Sequence, residues 1–308
     1  MQHKYRIDDL ISDPFCTLHI QPSNTYYLIN MTKKLIFLLA FFVFSNAYSQ
    51  SSYDFGDDKY RPNMGQSGKD VIWIPTGNEL VTKMLKIANV GPSDLVYDLG
   101  AGDGKIAIAA AREFGARAVG IEYNPEMAAL GQRNAERAGV ANRVKIIQGD
   151  IFKEDFTKAT VVTLYLLPEL NQQLRPTLLK MKPGTRVVSH AFDMADWQPD
   201  GEIDNPPKGY FWIVPANVSG EWALDSFDSK TSTILNLSQK FQYVGGNLTM
   251  GKKMQPILNA ELKGDKLQFS YVDDIGNLRT VRMTFNGTDV KGEENSAYMI
   301  RSFSGFKR

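Results

Sequence analysis

A short segment of the chain, from Asp98 to Gly104, places acidic side chains among three glycines in the pattern D-x-G-x-G-x-G. Glycines in a turn allow the backbone to approach a bound ligand, and a helix that begins after the turn presents free N–H donors. A dinucleotide-binding loop of the form G-x-G-x-x-G would require glycine at position 105, where Lys105 stands. Because Asp98 would repel a phosphate group, the pattern favours a ligand that carries an amino group.

Two further acidic positions follow at spacings that suit a nucleoside. Glu122 lies about 20 residues beyond the glycines, in the segment G-I-E-Y-N-P, where a carboxylate can accept hydrogen bonds from both ribose hydroxyls. Asp150 follows the next apolar run and could accept from an adenine amino group, while Ile151 or Phe152 covers a face of the ring. Each feature is common by itself, but the three in this order predict a nucleoside-binding site.

These polar residues need a scaffold, and the surrounding apolar pattern predicts one. Short apolar runs, which indicate strands, alternate with segments of helical periodicity. The predicted strands cover residues 95–98, 118–122, 144–147, 161–164 and 186–189, and the predicted helices cover residues 78–88, 105–114, 126–138 and 169–181. This alternation predicts a doubly wound α/β domain with a parallel sheet, in which the three acidic positions lie at the carboxyl ends of strands.

The alternation of predicted strands and helices ends after Pro199. Pro206-Pro207 marks a linker, and apolar residues such as Leu235 and Leu237 then alternate with polar ones, as in half-buried strands. The predicted organisation is an extended lead-in over residues 50–69, a ligand-binding domain over 70–200, and a small antiparallel β domain, either a barrel or a sandwich, over 209–308. A chain that ends near Pro199 is accordingly expected to bind the ligand by itself.

The first fifty residues have the pattern of a targeting sequence. Lys33-Lys34 precedes the apolar run 35–44, and small residues follow it at positions 47 and 49, as in a secretory signal peptide. The sequence predicts a signal peptide over residues 31–49, with Met31 as the true initiator and residues 1–30 as an upstream extension. The mature protein is expected to be exported, periplasmic or secreted, without a stable membrane span; it would be cytoplasmic if the signal is not used.

The residue inventory excludes several kinds of site. The expected mature chain has no cysteine and a single histidine, His190, which excludes disulfides, cysteine-ligated zinc and Cys–His catalysis, so no metal site is predicted. The formal net charge of +1 argues against a nucleic-acid partner, which would favour a strongly basic surface.

From about residue 70 to residue 197, the chain resembles the class I methyltransferases that use S-adenosylmethionine (SAM). The segment from Asp98 to Gly104 matches their first motif, and Glu122 matches their acidic ribose position. Through Ile74-Pro75-Thr76, D-L-G-A-G-D-G-K and G-I-E-Y-N-P, it is more specifically similar to the group that includes mitochondrial protein-lysine methyltransferases, and to exported bacterial relatives with a C-terminal β-rich segment. The resemblance implies a seven-stranded Rossmann-like sheet and SAM as the cofactor. The residues expected to contact SAM are Asp98, Gly100, Gly102, Asp103, Gly104, Glu122, Asn124, Asp150 and Ile151.

One departure from related enzymes affects the catalytic assignment. Amino-methylating enzymes often carry an Asn/Asp-Pro-Pro-aromatic motif after the fourth strand, and the segment T-L-Y-L-L-P-E that begins at Thr163 lacks it. The candidate catalytic residues are instead Tyr165, Glu169 and His190, each of which also has an ordinary structural interpretation. Because the sulfonium of SAM is already activated, alignment of the acceptor with the methyl group and a nearby proton acceptor suffice for transfer.

Two kinds of function follow from these observations. The first is methyl transfer from SAM to an unidentified acceptor, with protein lysine favoured by resemblance and a small molecule, lipid or quinone as the alternative. The second is an exported module that binds SAM or a nucleoside without turnover. Export favours the second, because SAM is made in the cytoplasm, whereas the intact motif residues favour the first.

Overall fold

The computed structural model describes residues 55–204, 206–225, 227, 231–295 and 299–308. The predicted upstream extension and signal peptide, residues 1–49, lie outside these ranges. Within them, no helix is both long enough and apolar enough to cross a lipid bilayer.

The first seven strands are β1 (Leu95–Leu99), β2 (Arg117–Glu122), β3 (Val144–Gln148), β4 (Val161–Leu164), β5 (Arg186–His190), β6 (Gly201–Ile203) and β7 (Gly209–Ile213). They form one mixed sheet in the order β3-β2-β1-β4-β5-β7-β6, in which β1 to β5 are parallel and β7 runs antiparallel to both β5 and β6. The strand order reverses between β1 and β4. In a doubly wound sheet, ligands bind at the carboxyl ends of the strands at this point.

Within the described residues, four helices cover this sheet: α1 (Asn78–Ile87), α2 (Lys105–Phe114), α3 (Pro125–Arg137) and α4 (Pro168–Leu178). Proline opens α3 and α4, because its fixed φ suits the first helical position. The side chain of Asn124 caps α3 by accepting from two backbone N–H groups. Gly115, in a left-handed conformation, ends α2.

The helices bury both faces of the sheet. α1, α2 and α3 pack on one face around Val96 and Val161, and α4 packs on the other around Leu99 and Val162. Burial of one such aliphatic side chain contributes about 1.5–3 kcal/mol relative to exposure. The strand β4 is buried along its whole length, as expected for a strand covered on both sides. The predicted fold class is confirmed, and the five parallel strands lie at or close to their predicted positions.

The boundary between the two sheets differs from the predicted one. β6 and β7 complete the first sheet, whereas the sequence assigned residues from 209 onward to the β domain. Trp212 on β7 is fully buried in the α/β core, and its indole N–H donates to the carbonyl oxygen of Trp197 at 2.8 Å. The predicted boundary was wrong because an antiparallel edge strand of one sheet has the same local pattern as a strand of another.

The remaining nine strands are β8 (Gly220–Asp225), β9 (Thr233–Lys240), β10 (Tyr243–Met250), β11 (Lys253–Pro256), β12 (Leu258–Lys263), β13 (Lys266–Val272), β14 (Leu278–Asn286), β15 (Asp289–Asn295) and β16 (Ile300–Lys307). They are all antiparallel, in the order β11-β10-β9-β8-β16-β15-β14-β13-β12. Only Ile257 separates the two end strands, and its N–H donates to Gly246 O at 3.0 Å, so the sheet closes into what we call the C-terminal barrel. Alternate side chains, including Trp222 and Phe269, fill its interior. The predicted antiparallel β domain is thus present with a later start.

Candidate active site

A cavity of about 680 Å³ opens at the carboxyl ends of β1 to β4. Its volume lies within the range of roughly 300–1,000 Å³ that is usual for small-molecule sites. The predicted site residues that line it are Asp98, Gly100, Gly102, Asp103, Glu122, Asn124, Asp150, Ile151 and Tyr165. Three others, Gly104, Glu169 and His190, do not line it.

The loop after β1 requires glycine for two different reasons. Gly102 has a φ of 56°, and a Cβ there would lie 2.6 Å from Trp73 Nε1. Because glycine has no Cβ, the loop can pack directly against this indole. Gly104 has a φ of 81° and faces α3, where a Cβ would lie 3.3 Å from the carbonyl oxygen of Gly131. Gly104 thus fits the loop against α3 and does not line the cavity; its predicted contact with the ligand stays a prediction.

Glu122 lies at the end of β2, with its carboxylate held by the backbone. Its Oε2 accepts from Gly102 N–H and its Oε1 accepts from Asn124 N–H, both at 2.9 Å. These bonds fix the carboxylate and leave further lone pairs on both oxygens for a ligand diol. Burial raises the pKa of Glu122, and the two backbone bonds oppose that shift. Asn124 uses its side-chain oxygen to cap α3, which leaves its amide nitrogen for a ligand.

Asp98 lies on β1 below the glycine loop and is only 2% exposed. Its Oδ1 accepts from the hydroxyl of Thr163 at 2.7 Å. Burial raises the pKa of Asp98 to about 7; the bond from Thr163 opposes this shift, and the negative charges of Asp103 and Glu122 add to it. Burial likewise raises the pKa of Asp103. Ionisation of these three clustered acids is therefore costly unless a cation compensates for it.

This set of side chains fits SAM better than a dinucleotide. SAM carries a sulfonium and an amino group, which are both positive at neutral pH. A cavity whose lining includes five carboxylates attracts such a ligand; they belong to Asp70, Asp98, Asp103, Glu122 and Asp150. The same carboxylates would repel a pyrophosphate. The carboxylate of Glu122, held by two backbone N–H groups, stays the predicted acceptor for the ribose of SAM.

The raised pKa of Asp98 predicts that SAM binding depends on pH. Below about pH 7 Asp98 gains a proton and stops attracting a cation, so the affinity for SAM is expected to fall about tenfold between pH 8 and pH 6. The folding stability of the ligand-free protein depends on pH in the opposite direction. The raised pKa of Asp98 gives a stabilisation that is fully present below pH 3.8 and is lost as the pH rises through 7. Calorimetry measures the first effect and thermal unfolding the second. A pH step that persists in Asp98→Asn would belong to another group.

Asp150 follows β3, and its carboxylate accepts two hydrogen bonds. Its Oδ1 accepts from Phe152 N–H at 3.1 Å, and its Oδ2 accepts from Lys69 Nζ at 3.1 Å. The bond from Phe152 and the ammonium group of Lys69 lower the pKa of Asp150, so it is ionised at neutral pH. The ammonium group also lies 5.2 Å from the centroid of the Tyr123 ring. Ile151 lines the cavity beside them, as predicted for one face of an adenine site.

The lead-in before α1 forms one wall of the cavity, which the sequence did not predict. Residues 66–76 line it, and Trp73 packs over the glycine loop. Asp57 ties the lead-in to α3 through Arg133 at 2.6 Å and Arg137 at 3.0 Å. The guanidinium group of Arg133 holds the pKa of Asp57 well below its usual range. Single aromatic and charged residues in a turn-rich segment have no periodicity, so no pattern indicated their role.

Tyr165, after β4, lines the opposite end of the cavity and rests on His190. The two rings stack with centroids 3.7 Å apart and planes at 29°. His190 is 3% exposed, and its Nδ1 lies 2.9 Å from Thr76 Oγ1. Burial lowers the pKa of His190 to about 4, so the ring is neutral at physiological pH. His190 does not line the cavity; it lies behind Tyr165 and supports that ring, and its predicted role as a base stays a prediction.

Glu169 lies outside the cavity. It is positioned in the first turn of α4, between the lining residues Leu167 and Leu170, and does not itself line the cavity. A carboxylate in this position interacts favourably with the positive end of the helix dipole. Its ordinary structural interpretation therefore accounts for it, and the structure gives no support to a catalytic role.

Comparison with known proteins identifies the family. A family model described as the ANTKMT methyltransferase domain matches residues 98–201. The protein-lysine N-methyltransferase of Saccharolobus islandicus (strain REY15A) is 47% identical over 131 residues, which make up 42% of this chain and 81% of that protein. The chain belongs to the ANTKMT methyltransferase family.

Two further similar proteins match between two fifths and one half of the chain. The adenine nucleotide translocase lysine N-methyltransferase of Mus musculus is 36% identical over 131 residues, which make up 42% of this chain and 56% of that protein. A solved structure described as an RNA methyltransferase from Salinibacter ruber, in complex with S-adenosyl-L-homocysteine, is 50% identical, covers 47% of this chain and 96% of that chain, and has a TM-score of 0.46. The barrel lies outside the residues that the family model matches.

This ANTKMT-family protein is a SAM-dependent methyltransferase. The matched residues include Asp98, Glu122 and Asp150, which line the cavity. The predicted fold class, enzyme class and cofactor are confirmed. The contacts of individual residues with SAM stay predictions.

Proposed function

We propose that this methyltransferase transfers the methyl group of SAM to the side-chain amine of lysine in a protein. The names of the Saccharolobus and mouse relatives support a lysine acceptor. The observation that carries the proposal is the composition of what we call the acceptor end of the cavity. It lies at the ends of β4 and β5, away from Glu122 and Asp150, and is lined by Tyr165, Leu166, Leu167, Leu170 and Phe192.

The acceptor end suits a neutral amine. Its five lining residues are apolar apart from the phenol of Tyr165, and none of them is a carboxylate. A lysine that enters such a site loses its hydration, and loss of hydration lowers the pKa of an amine. The neutral form has the lone pair that attacks a methyl group, so desolvation selects the reactive form of the acceptor.

Tyr165 is suited to orient that amine. Burial raises the pKa of Tyr165, so its hydroxyl keeps its proton at neutral pH and does not act as a base. The hydroxyl oxygen can accept an N–H of the amine and direct the lone pair along the line of attack. The neutral ring of His190 holds Tyr165 in place by stacking. SAM, when bound, supplies a methyl group that its sulfonium has already activated.

The variant Tyr165→Phe tests this assignment. It keeps the ring that stacks on His190 and removes the hydroxyl, so kcat is expected to fall about fivefold, the effect of one hydrogen bond, while the affinity for SAM is unchanged. Initial-rate methylation assays measure kcat, and calorimetry measures the affinity for SAM. Tyr243→Phe, which removes a hydroxyl from an exposed side chain of the barrel, is the matched control. Wild-type kcat in Tyr165→Phe would remove the hydroxyl from the mechanism.

The acceptor class is tested with tritiated SAM and a fractionated extract of the cell that makes the protein. We expect label in the protein fraction, recovered after acid hydrolysis as N-methylated lysine. Label in RNA, lipid or small molecules would overturn the lysine proposal and name the class that replaces it. A chain that binds SAM and labels no fraction would support the alternative of a binding module without turnover.

We also propose that the protein is exported, on the basis of the basic and apolar residues at positions 33–44. We expect the mature protein to begin near Gln50, and mass spectrometry of the protein isolated from its own cell measures this directly. Replacing Leu38 and Leu39 by arginine within the apolar run is expected to keep the precursor inside. A native protein that retains residues 1–30 would contradict both the start site and the export proposal.

A further inference from the structure

The turn between β9 and β10 carries an aromatic residue where glycine is expected. The turn consists of Phe241 and Gln242, and Phe241 has a φ of 54°. A bulky side chain rarely adopts this left-handed conformation, and tight hairpin turns usually place glycine or asparagine there. A strained residue of this kind persists where its surroundings hold it.

The surroundings of Phe241 belong to the α/β part of the molecule. Phe241 packs against the core that lies around α4, not against the interior of the barrel. Its ring stacks on Trp197 with centroids 6.1 Å apart and planes at 25°. The guanidinium group of Arg175, on α4, lies 5.6 Å from the same ring and donates to Met194 O at 2.8 Å. One side chain of the barrel thus contacts both α4 and the loop that follows β5.

The residues on either side of Phe241 contact the same loop. Gln242 Nε2 donates to Gln198 O at 2.7 Å, and Lys240 Nζ lies 3.4 Å from Asp196 Oδ2. The ion pair is exposed and contributes little. The ring of Phe241 and the amide of Gln242 therefore provide most of this contact.

The loop 191–198 connects this contact with the acceptor end. Phe192 lines the cavity, with its ring centroid 6.5 Å from that of Tyr165. Ala191 and Ala195 have φ values of 65° and 56°. Two residues with positive φ in one short loop indicate a conformation that its neighbours impose.

We infer that the β9–β10 turn of the barrel is a positioning element of the active site. Phe241 stacks on Trp197 and so holds the loop 191–198 in the conformation that places Phe192 beside Tyr165. Phe241 does not line the cavity and acts through the loop. The inference rests on the proposed function, which defines the acceptor end. It gives the barrel a part in methyl transfer that the matched family region does not include.

The variant Phe241→Gly removes the aromatic ring and leaves the conformation of the turn unchanged, because glycine adopts a positive φ without strain. In the full-length, ligand-free chain, deuterium exchange of the amides of residues 191–198 is expected to speed up about tenfold or more, with residues 98–104 unchanged. Tyr243→Ala, which removes a ring that is 57% exposed from the same hairpin, is the matched control and should change neither segment. Unchanged exchange at residues 191–198 in Phe241→Gly would overturn the inference.

Kinetics tests the consequence. With tritiated SAM and the extract's protein fraction as acceptor, Phe241→Gly is expected to lower kcat/KM for the acceptor about tenfold or more while the Kd for SAM is unchanged. Phe241→Trp, which restores an aromatic ring, should recover most of that loss. An equal loss of SAM affinity would overturn the inference, because it would indicate general destabilisation. If the wild-type chain labels no protein, the proposed function fails, and the exchange experiment still decides whether Phe241 holds the loop.

Discussion

The variant Glu122→Ala is expected to bind SAM at least about tenfold more weakly than the natural chain. A hydrogen bond to a charged group contributes about 1.5–3 kcal/mol, and about 1.4 kcal/mol corresponds to a factor of ten in affinity. The substitution also leaves the N–H groups of Gly102 and Asn124 without their carboxylate partner, which loosens the glycine loop itself. Isothermal titration calorimetry at pH 8, where Asp98 is ionised, measures the change.

Two further variants show whether the loss of affinity depends on the charge and the position of this carboxylate. Glu122→Gln keeps the shape and an acceptor oxygen and is expected to lose less affinity than Glu122→Ala. Glu126→Ala removes an exposed carboxylate nearby on α3 and is expected to bind like the natural chain. Wild-type affinity in Glu122→Ala would remove Glu122 from the site, and tighter binding of NAD than of SAM would contradict the assignment of the cavity.

A chain truncated after Pro199 is expected to be insoluble or unfolded and to lose SAM binding completely. The truncation deletes β6 and β7, and with them Trp212, whose side chain is fully buried. Loss of a buried tryptophan alone costs about 3–5 kcal/mol, a large part of the roughly 5–15 kcal/mol by which a domain is stable. Solubility, circular dichroism and SAM titration measure the outcome.

A chain truncated after Ala216 is the matched comparison. It retains the first sheet, including Val214, whose N–H donates to Thr185 O at 2.8 Å. We expect it to fold and bind SAM, since the residues that line the cavity all precede β6. We also expect it to transfer methyl groups poorly, because it lacks Phe241. A soluble chain ending at Pro199 that binds SAM would show that β6 and β7 are dispensable and that the predicted boundary was the functional one.

Local patterns predicted one part of the molecule, and long-range contacts decided the rest. The five parallel strands and the turn with Gly102 were predictable, because apolar runs and alternating glycines are local patterns. The pairing of β7 with β5, which buries Trp212, joins segments that no local pattern links. The position of Trp73 over the glycine loop and of His190 behind Tyr165 depends in the same way on contacts between distant segments. Residue types therefore predicted many residues that line the cavity near the glycine loop and, of those at the acceptor end, only Tyr165.

The closure of the barrel limits how another protein can bind to it. An open antiparallel sheet offers a row of unpaired N–H and C=O groups to which a partner can add a strand. In the described part of the barrel, β8 pairs with β16 and the two end strands meet at Ile257, so only short stretches of backbone are left for that mode of binding. The first sheet protects its own edges differently, with the three-residue strand β6 on one side and the exposed Lys145 on β3 at the other. Partners that bind the described part of the two sheets are therefore expected to recognise side chains and loops, and the same residues offer little template for aggregation by strand pairing.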